Sequence, residues 1–137
     1  MNEAQALIKS IKQRQFKPVY FLVGERETYF VDQISNALEQ EVLTEDEKAF
    51  NLSVLYGKDV SIDEVVSLSK RFPMMAEYQL VIVREAQSLL RQIDQLAAYL
   101  EQPQSSTILV FCVKYKKPDK RKKVFKLLKK NHVYFET

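Results

Sequence analysis

Gly24 closes the apolar run Val19-Tyr-Phe-Leu-Val23 and opens the turn Gly24-Glu-Arg-Glu-Thr-Tyr-Phe-Val31, which leads into a helical pattern. In a parallel sheet such a turn is the usual phosphate site. Holding a triphosphate there takes a glycine, four residues and then Gly-Lys-Ser/Thr. Backbone amides cradle the oxygens, the lysine neutralises them and the hydroxyl holds magnesium. Counted from Gly24, those three positions fall on Tyr29, Phe30 and Val31, and none supplies the required group. Glu25 and Glu27 place negative charge where phosphate oxygens would sit, against the single cation Arg26. The run Leu80-Val-Ile-Val83 should end in acids that position magnesium and water, yet it continues into Arg84-Glu85, so a cation stands at the metal-ligand position. Two separate positions argue against nucleotide hydrolysis, and no cofactor is expected.

Other chemistries find less support. The single histidine, His132, stands at the start of a strand-like run with no partner cluster for zinc, and is expected at the surface or a strand end. Cys112 lies inside the apolar run Thr107 to Val113, as a core thiol without a base, and one cysteine excludes an intrachain disulfide. Asp63 and Glu64 suit the amino end of a helix, where they complement its dipole. Phe72-Pro-Met-Met75 is different: four apolar residues occupy a connection that should be polar, and Pro73 keeps them out of the preceding helix. They either fold back onto the sheet edge or form an adaptable apolar surface for a partner.

The net charge of +3 hides an asymmetry. Lys114 to Lys130 holds ten Lys or Arg and one acid, Asp119, hence +9, which leaves about −6 for the remainder. Within it, Lys114, Lys116, Lys117, Lys120, Arg121, Lys122 and Lys123, with Tyr115 available for stacking, are candidate contacts to DNA or to an acidic partner. Docking on a membrane would compete with folding, because the apolar stripe of this segment is needed for the core.

The elements that must position these residues follow from periodicity. Five runs rich in β-branched and aromatic residues predict strands over Pro18 to Val23, Phe50 to Tyr56, Gln79 to Val83, Thr107 to Val113 and His132 to Phe135. Several are almost continuously apolar, as strands covered on both faces require. Helical patterns separate them: Thr28 to Glu41, a segment opened by the capping box Ser61-Ile-Asp-Glu64, Leu89 to Leu100, and a basic helix opened by Pro118-Asp119. A further helix, Glu3 to Arg14, precedes the first strand. The alternation predicts an α/β fold with a mainly parallel sheet and helices on both faces. With 137 residues, 46% of them apolar, the chain suits one domain, residues 1–137. A boundary at Thr137 also fits the first domain of a longer polypeptide. No apolar run approaches the roughly 20 residues that span a bilayer, and the lone cysteine fits a reducing, cytoplasmic setting.

The segments Pro18-Val-Tyr-Phe-Leu-Val-Gly24, Phe50-Asn-Leu-Ser-Val-Leu-Tyr-Gly57, Phe72-Pro-Met-Met-Ala76 before Gln79-Leu-Val-Ile-Val83-Arg84, and Asp119-Lys-Arg-Lys-Lys123, in that order, resemble the amino-terminal domain of the δ subunits of bacterial DNA polymerase III, components of the clamp loader. The resemblance implies a three-layer domain similar to P-loop NTPases of the AAA+ type, with strand order 5-1-4-3-2 and no ATP hydrolysis of its own. It implies binding and opening of the sliding clamp, the β subunit, through an apolar pair, here Met74 and Met75, with Phe72 and Pro73 shaping the approach. It further implies the γ/τ and δ′ loader subunits as partners, primed DNA within the assembly, and membership of the DNA-directed DNA polymerase holoenzyme, a nucleotidyltransferase complex.

Overall fold

The computed structural model describes all of residues 1–137. Five strands, β1 (Val19–Gly24), β2 (Leu52–Tyr56), β3 (Gln79–Arg84), β4 (Thr107–Lys114) and β5 (Val133–Glu136), form one sheet in the order β2-β3-β4-β1-β5. All four pairings are parallel. This is the anticipated order, and it explains the sequence pattern. The central strands β1, β3 and β4 are buried along almost their whole length, whereas the edge strand β2 is only half-covered.

Successive residues of a strand point to opposite faces, so each strand feeds two cores. Val19, Phe21 and Val23 join Val81, Val83 and Phe111 beneath α4 (Ile62–Ser69), a 3-10 segment (Ala86–Leu96), α5 (Ala97–Glu101) and α6 (Lys123–Asn131). Tyr20, Leu22, Leu80, Ile82, Val110 and Cys112 face α1 (Glu3–Lys12) and α2 (Tyr29–Glu41), which contribute Ile11, Ile34 and Leu38. The layers are therefore helix, sheet, helix.

Four expectations need correction. Phe50 and Asn51 do not begin β2; they end an additional helix, α3 (Glu45–Asn51). Its start is the capping box Thr44 with Glu47, whose carboxylate accepts the Thr44 amide at 2.9 Å. Leu89 to Leu100 is mostly 3-10 coil before α5, although Leu89, Ile93, Leu96 and Leu100 are buried as their spacing requires. Both coils can bury residues three apart, so that stripe does not separate them. Pro118-Asp119 does not open the basic helix. Asp119 accepts the Arg121 amide at 3.2 Å and pairs with the Arg121 guanidinium at 2.9 Å, closing a local turn, and α6 starts at Lys123. Finally, His132 is buried rather than superficial. It follows α6, and its Nε2 lies 2.9 Å from the Leu100 carbonyl, tying the end of α5 to the start of β5. That contact fixes the tautomer with the proton on Nε2.

Candidate functional site

The two ends of the parallel sheet have different characters. At the carboxyl ends of the strands, the turn after β1 is closed upon itself. A Cβ at Gly24 would lie 2.4 Å from the Glu27 carbonyl oxygen, so only glycine fits this approach of backbone to backbone. The Glu27 carboxylate accepts the Tyr29 amide at the amino end of α2. A helix amino terminus attracts anions through its free amides and its dipole, and here the chain's own carboxylate has taken that place. Tyr29 is exposed, Phe30 is half-buried against its edge, and Val31 is in the core.

The cleft beside this turn has a volume of about 330 Å³ and is lined chiefly by polar groups of α2 and of the strand ends. Its charges are paired internally: Lys114 Nζ lies 2.8 Å from Asp32, and Arg84 Nη2 lies 3.6 Å from Glu39. The hydrogen bond that the Lys114 ammonium donates to Asp32 raises it above its ordinary value, so this cation stays charged in the fold. Cys112 borders the cleft, where burial pushes its thiol up to about 11. Gly24, Tyr29, Phe30, Val31 and Arg84 are thus brought to one end of the sheet, where the Tyr29 amide, Arg84 and Lys114 are each paired with an acid of the chain.

At the opposite end, the segment between α4 and β3 carries Phe72, Pro73, Met74 and Met75. Pro73 is half-buried, while Phe72 is 76% exposed, Met74 61% and Met75 99%. They do not fold back onto the sheet. Met75 has φ = 55°, in the left-handed region. That conformation costs a side-chain-bearing residue about 1 kcal/mol, and it recurs where function holds the backbone in place.

Both flanks of this loop are anchored by buried polar side chains. The Gln79 Nε2 group lies 2.9 Å from the Leu68 carbonyl, 2.8 Å from the Arg71 carbonyl and 2.9 Å from Thr107 Oγ1. Thr107 Oγ1 in turn donates to the Ser69 carbonyl at 2.6 Å. The Thr107 bond gives the Ser69 carbonyl at the end of α4 a partner, and the Gln79 bonds tie the last turn of the helix and Arg71 beyond it to the start of β3. On the other side, Asn51 Oδ1 accepts the Met74 amide at 2.7 Å and Nδ2 donates to the Met74 carbonyl at 2.9 Å. Phe50, next to Asn51, is 73% exposed and stands at the same end of the sheet. Asn51, Gln79 and Phe50 were not singled out from sequence. The signal available was a polar residue interrupting an apolar run, in Phe50-Asn-Leu52 and in Tyr78-Gln-Leu80.

The basic segment has a different environment from the one expected. Six of its seven candidate contacts are in ion pairs within the chain: Lys114 with Asp32, Lys117 and Lys120 with Glu136, Arg121 with Asp119, Lys122 with Asp94 and Lys123 with Glu101. Only Lys116 is without such a partner. Four of these acids, Asp32, Asp94, Glu101 and Glu136, lie outside residues 114–130, which lowers the local charge from +9 to about +5. Tyr115 remains 70% exposed.

Comparison with known proteins bears on the family and the fold. The sequence model of the family described as "DNA polymerase III, delta subunit" matches residues 20–137. DNA polymerase III subunit delta of Bacillus subtilis is 32% identical over 93% of this chain and 39% of its own length. The solved DNA clamp loader delta protein of Bacillus subtilis superposes with a TM-score of 0.85 at 30% identity, covering 98% of this chain and 42% of that one. A gamma subunit-related protein from Thermotoga maritima, at 18% identity and a TM-score of 0.64 over 99% of this chain and 46% of its own, shares the fold. The chain therefore spans about two fifths of the length of the delta relatives it matches.

Proposed function

Because the chain belongs to the family of DNA polymerase III delta subunits, we propose that it acts mechanically in replication, binding the sliding clamp through Met74 and Met75 and helping to open it. The observation that carries this reading is the presentation of the pair. Exposed methionines sit on a backbone held at Met74 by the buried Asn51 carboxamide, at the end of the sheet remote from the phosphate turn. At about 3.3 Å per residue, the six residues of β3 separate the two ends by roughly 20 Å. An apolar, unbranched and polarisable pair of this kind fits an apolar pocket on a protein partner.

In this reading the chain is the amino-terminal domain of a longer subunit, assembled in the cytoplasm with other loader subunits. It does not hydrolyse ATP, which is supported by the Glu27 carboxylate at the α2 amino end and by the pairing of Lys114 and Arg84 with acids. ATP-driven motion of partner subunits then exposes or hides the methionine pair. The clamp opens only to the extent that the domain binds the open form more tightly than the closed one. No helix is long and apolar enough to cross a membrane.

Direct DNA binding through residues 114–130 is the weaker alternative, because six of its seven candidate cations are already partly neutralised by acids within the chain. The deciding experiment immobilises the chain and passes purified cognate sliding clamp over it, with a DNA duplex as the competing analyte. Saturable, ATP-independent retention of the clamp is expected. Retention of DNA alone, with an affinity falling steeply with salt, would establish the alternative instead.

A further inference from the structure

The loop between α4 and β3 owes its shape to a residue outside it. We infer that Asn51 is a positioning residue, holding the Met74 backbone in its binding conformation, so that the junction of α3 and β2 governs how the methionine pair meets its partner. The consequence for binding rests on the clamp reading above; the positioning itself does not.

Asn51 is buried, and every hydrogen bond of its carboxamide goes to backbone. Oδ1 accepts the Met74 amide at 2.7 Å, Nδ2 donates to the Met74 carbonyl at 2.9 Å, and the second Nδ2 hydrogen goes to the Glu47 carbonyl at 3.0 Å. One donor and one acceptor engaging the amide and carbonyl of a single residue reproduce the paired bonds that a neighbouring strand makes. The third bond ties the carboxamide to α3, so it cannot swing away with the loop. Across residues 72–78, these are the only hydrogen bonds made by the backbone. The backbone from Phe72 to Tyr78 is therefore hydrogen-bonded at one internal residue, just before Met75 enters the left-handed region. An ionised Asp at position 51 has no donor and would face two carbonyl oxygens, while an apolar residue offers neither bond. Among the common residues only the Asn carboxamide has the length and both functions for this contact.

The prediction separates positioning from contact. If Asn51→Ala frees the loop, only a fraction of molecules carries Met74 and Met75 in the competent arrangement, and the apparent affinity falls by that fraction. The loss then appears in the association rate, whereas truncating a contacting methionine acts on dissociation. The test measures binding kinetics of Asn51→Ala to purified sliding clamp at a temperature where the variant is fully folded, and amide hydrogen exchange at Met74 in both forms. Protection of the Met74 amide in the parent chain, its loss in Asn51→Ala, and a roughly tenfold slower association with near-parental dissociation are expected. An unchanged association rate, or a Met74 amide that exchanges in the parent as fast as that of Met75, overturns the inference. A residue of purely structural importance would lower the melting temperature and leave the kinetics of folded molecules untouched. If Asn51→Ala does not fold, exchange in the parent chain decides alone. If the parent chain does not bind the clamp, the functional reading fails, and the Met74 exchange still decides whether Asn51 positions the loop.

Discussion

Truncating the two methionines separately should divide the binding energy unequally, with Met75 the larger contributor. Burying a whole methionine side chain is worth about 2 kcal/mol. Met75 is 99% exposed, so nearly all of that is available to a partner, and Met75→Ala should weaken clamp binding by about 2 kcal/mol, roughly 30-fold. Met74 is 61% exposed, which scales its share to about 1.2 kcal/mol, roughly eightfold. The double variant should lose about 3 kcal/mol, roughly 200-fold, if the two side chains act independently. Stability should scarcely change, because neither side chain belongs to either core. Surface truncations stay within about 0.5 kcal/mol, against about 2 to 5 kcal/mol for a methionine in a core. The assay pairs surface-immobilised binding kinetics against purified clamp with urea unfolding of each variant. Parental affinity in the double variant would falsify the assignment of the loop. A loss of binding accompanied by a matching loss of stability would show instead that the methionines are structural.

Three further outcomes follow from the same geometry. Met75→Gly should match Met75→Ala in lost binding yet be more stable by about 1 kcal/mol, because glycine at φ = 55° escapes the penalty that any Cβ incurs; equal or lower stability in urea unfolding would contradict the left-handed backbone. Partial burial raises Glu136, but the Tyr134 hydroxyl at 2.7 Å and the ammonium groups of Lys120 and Lys117 outweigh it and hold the carboxyl below its ordinary value. A depressed folded value means that the increment is complete above the unfolded value of about 4.3 and is lost as pH falls through the folded one. Thermal melts of Glu136→Gln should therefore lie below the parent at pH 7 and approach it as pH falls below the ordinary carboxylate range, and a constant gap would refute the linkage. Burial pushes the Cys112 thiol up to about 11, only partly offset by the Ser35 hydroxyl. At pH 8 the thiolate is then about one molecule in a thousand, so a thiol reagent should react with the chain in urea and barely with the native fold; fast native labelling would show the site to be open.

The sheet was legible in the sequence because its strands are covered on both faces, which leaves the near-continuous apolar runs at Val19 to Val23, Leu80 to Val83 and Thr107 to Val113. The helix α3 was not, because Glu45-Asp-Glu-Lys-Ala-Phe-Asn51 buries only Asn51 and carries no apolar stripe; its one signal is the box from Thr44 to Glu47. The start of α6 was misplaced because Pro118 and Asp119 are as suitable for a turn as for a helix start, and the Arg121 side chain decides between them. The methionine pair was visible as apolar residues in a connection. What presents it was not, since Asn51 reaches Met74 across 23 positions and Gln79 reaches Thr107 across 28, contacts that no local pattern encodes. The same holds for the basic segment. Its charge is evident in the sequence, but Asp32, Asp94 and Glu101 become neighbours only in the fold.

In the turn after β1, more than the three signature positions stands against holding a phosphate. Replacing Tyr29, Phe30 and Val31 alone would leave the Glu27 carboxylate on the amide at the start of α2, and Asp32 and Glu39 on the cations that border the cleft. Val31 is also a core residue, so a hydroxyl there would have to be buried beside Ile34 and Leu22. The Tyr29 amide, Lys114 and Arg84 each have an internal partner, and the two ion pairs link α2 to the ends of β3 and β4. At the other end of the sheet the buried polar groups of Asn51, Gln79 and Thr107 are satisfied largely by backbone, and Phe72, Met74 and Met75 stand exposed. An unsatisfied apolar pair is stabilised only by covering it, which an apolar pocket on a protein does and a nucleotide or a phosphate backbone does not. The physical demand of the surface therefore supports the proposed protein partner, at the end of the sheet where binding would leave the paired charges undisturbed.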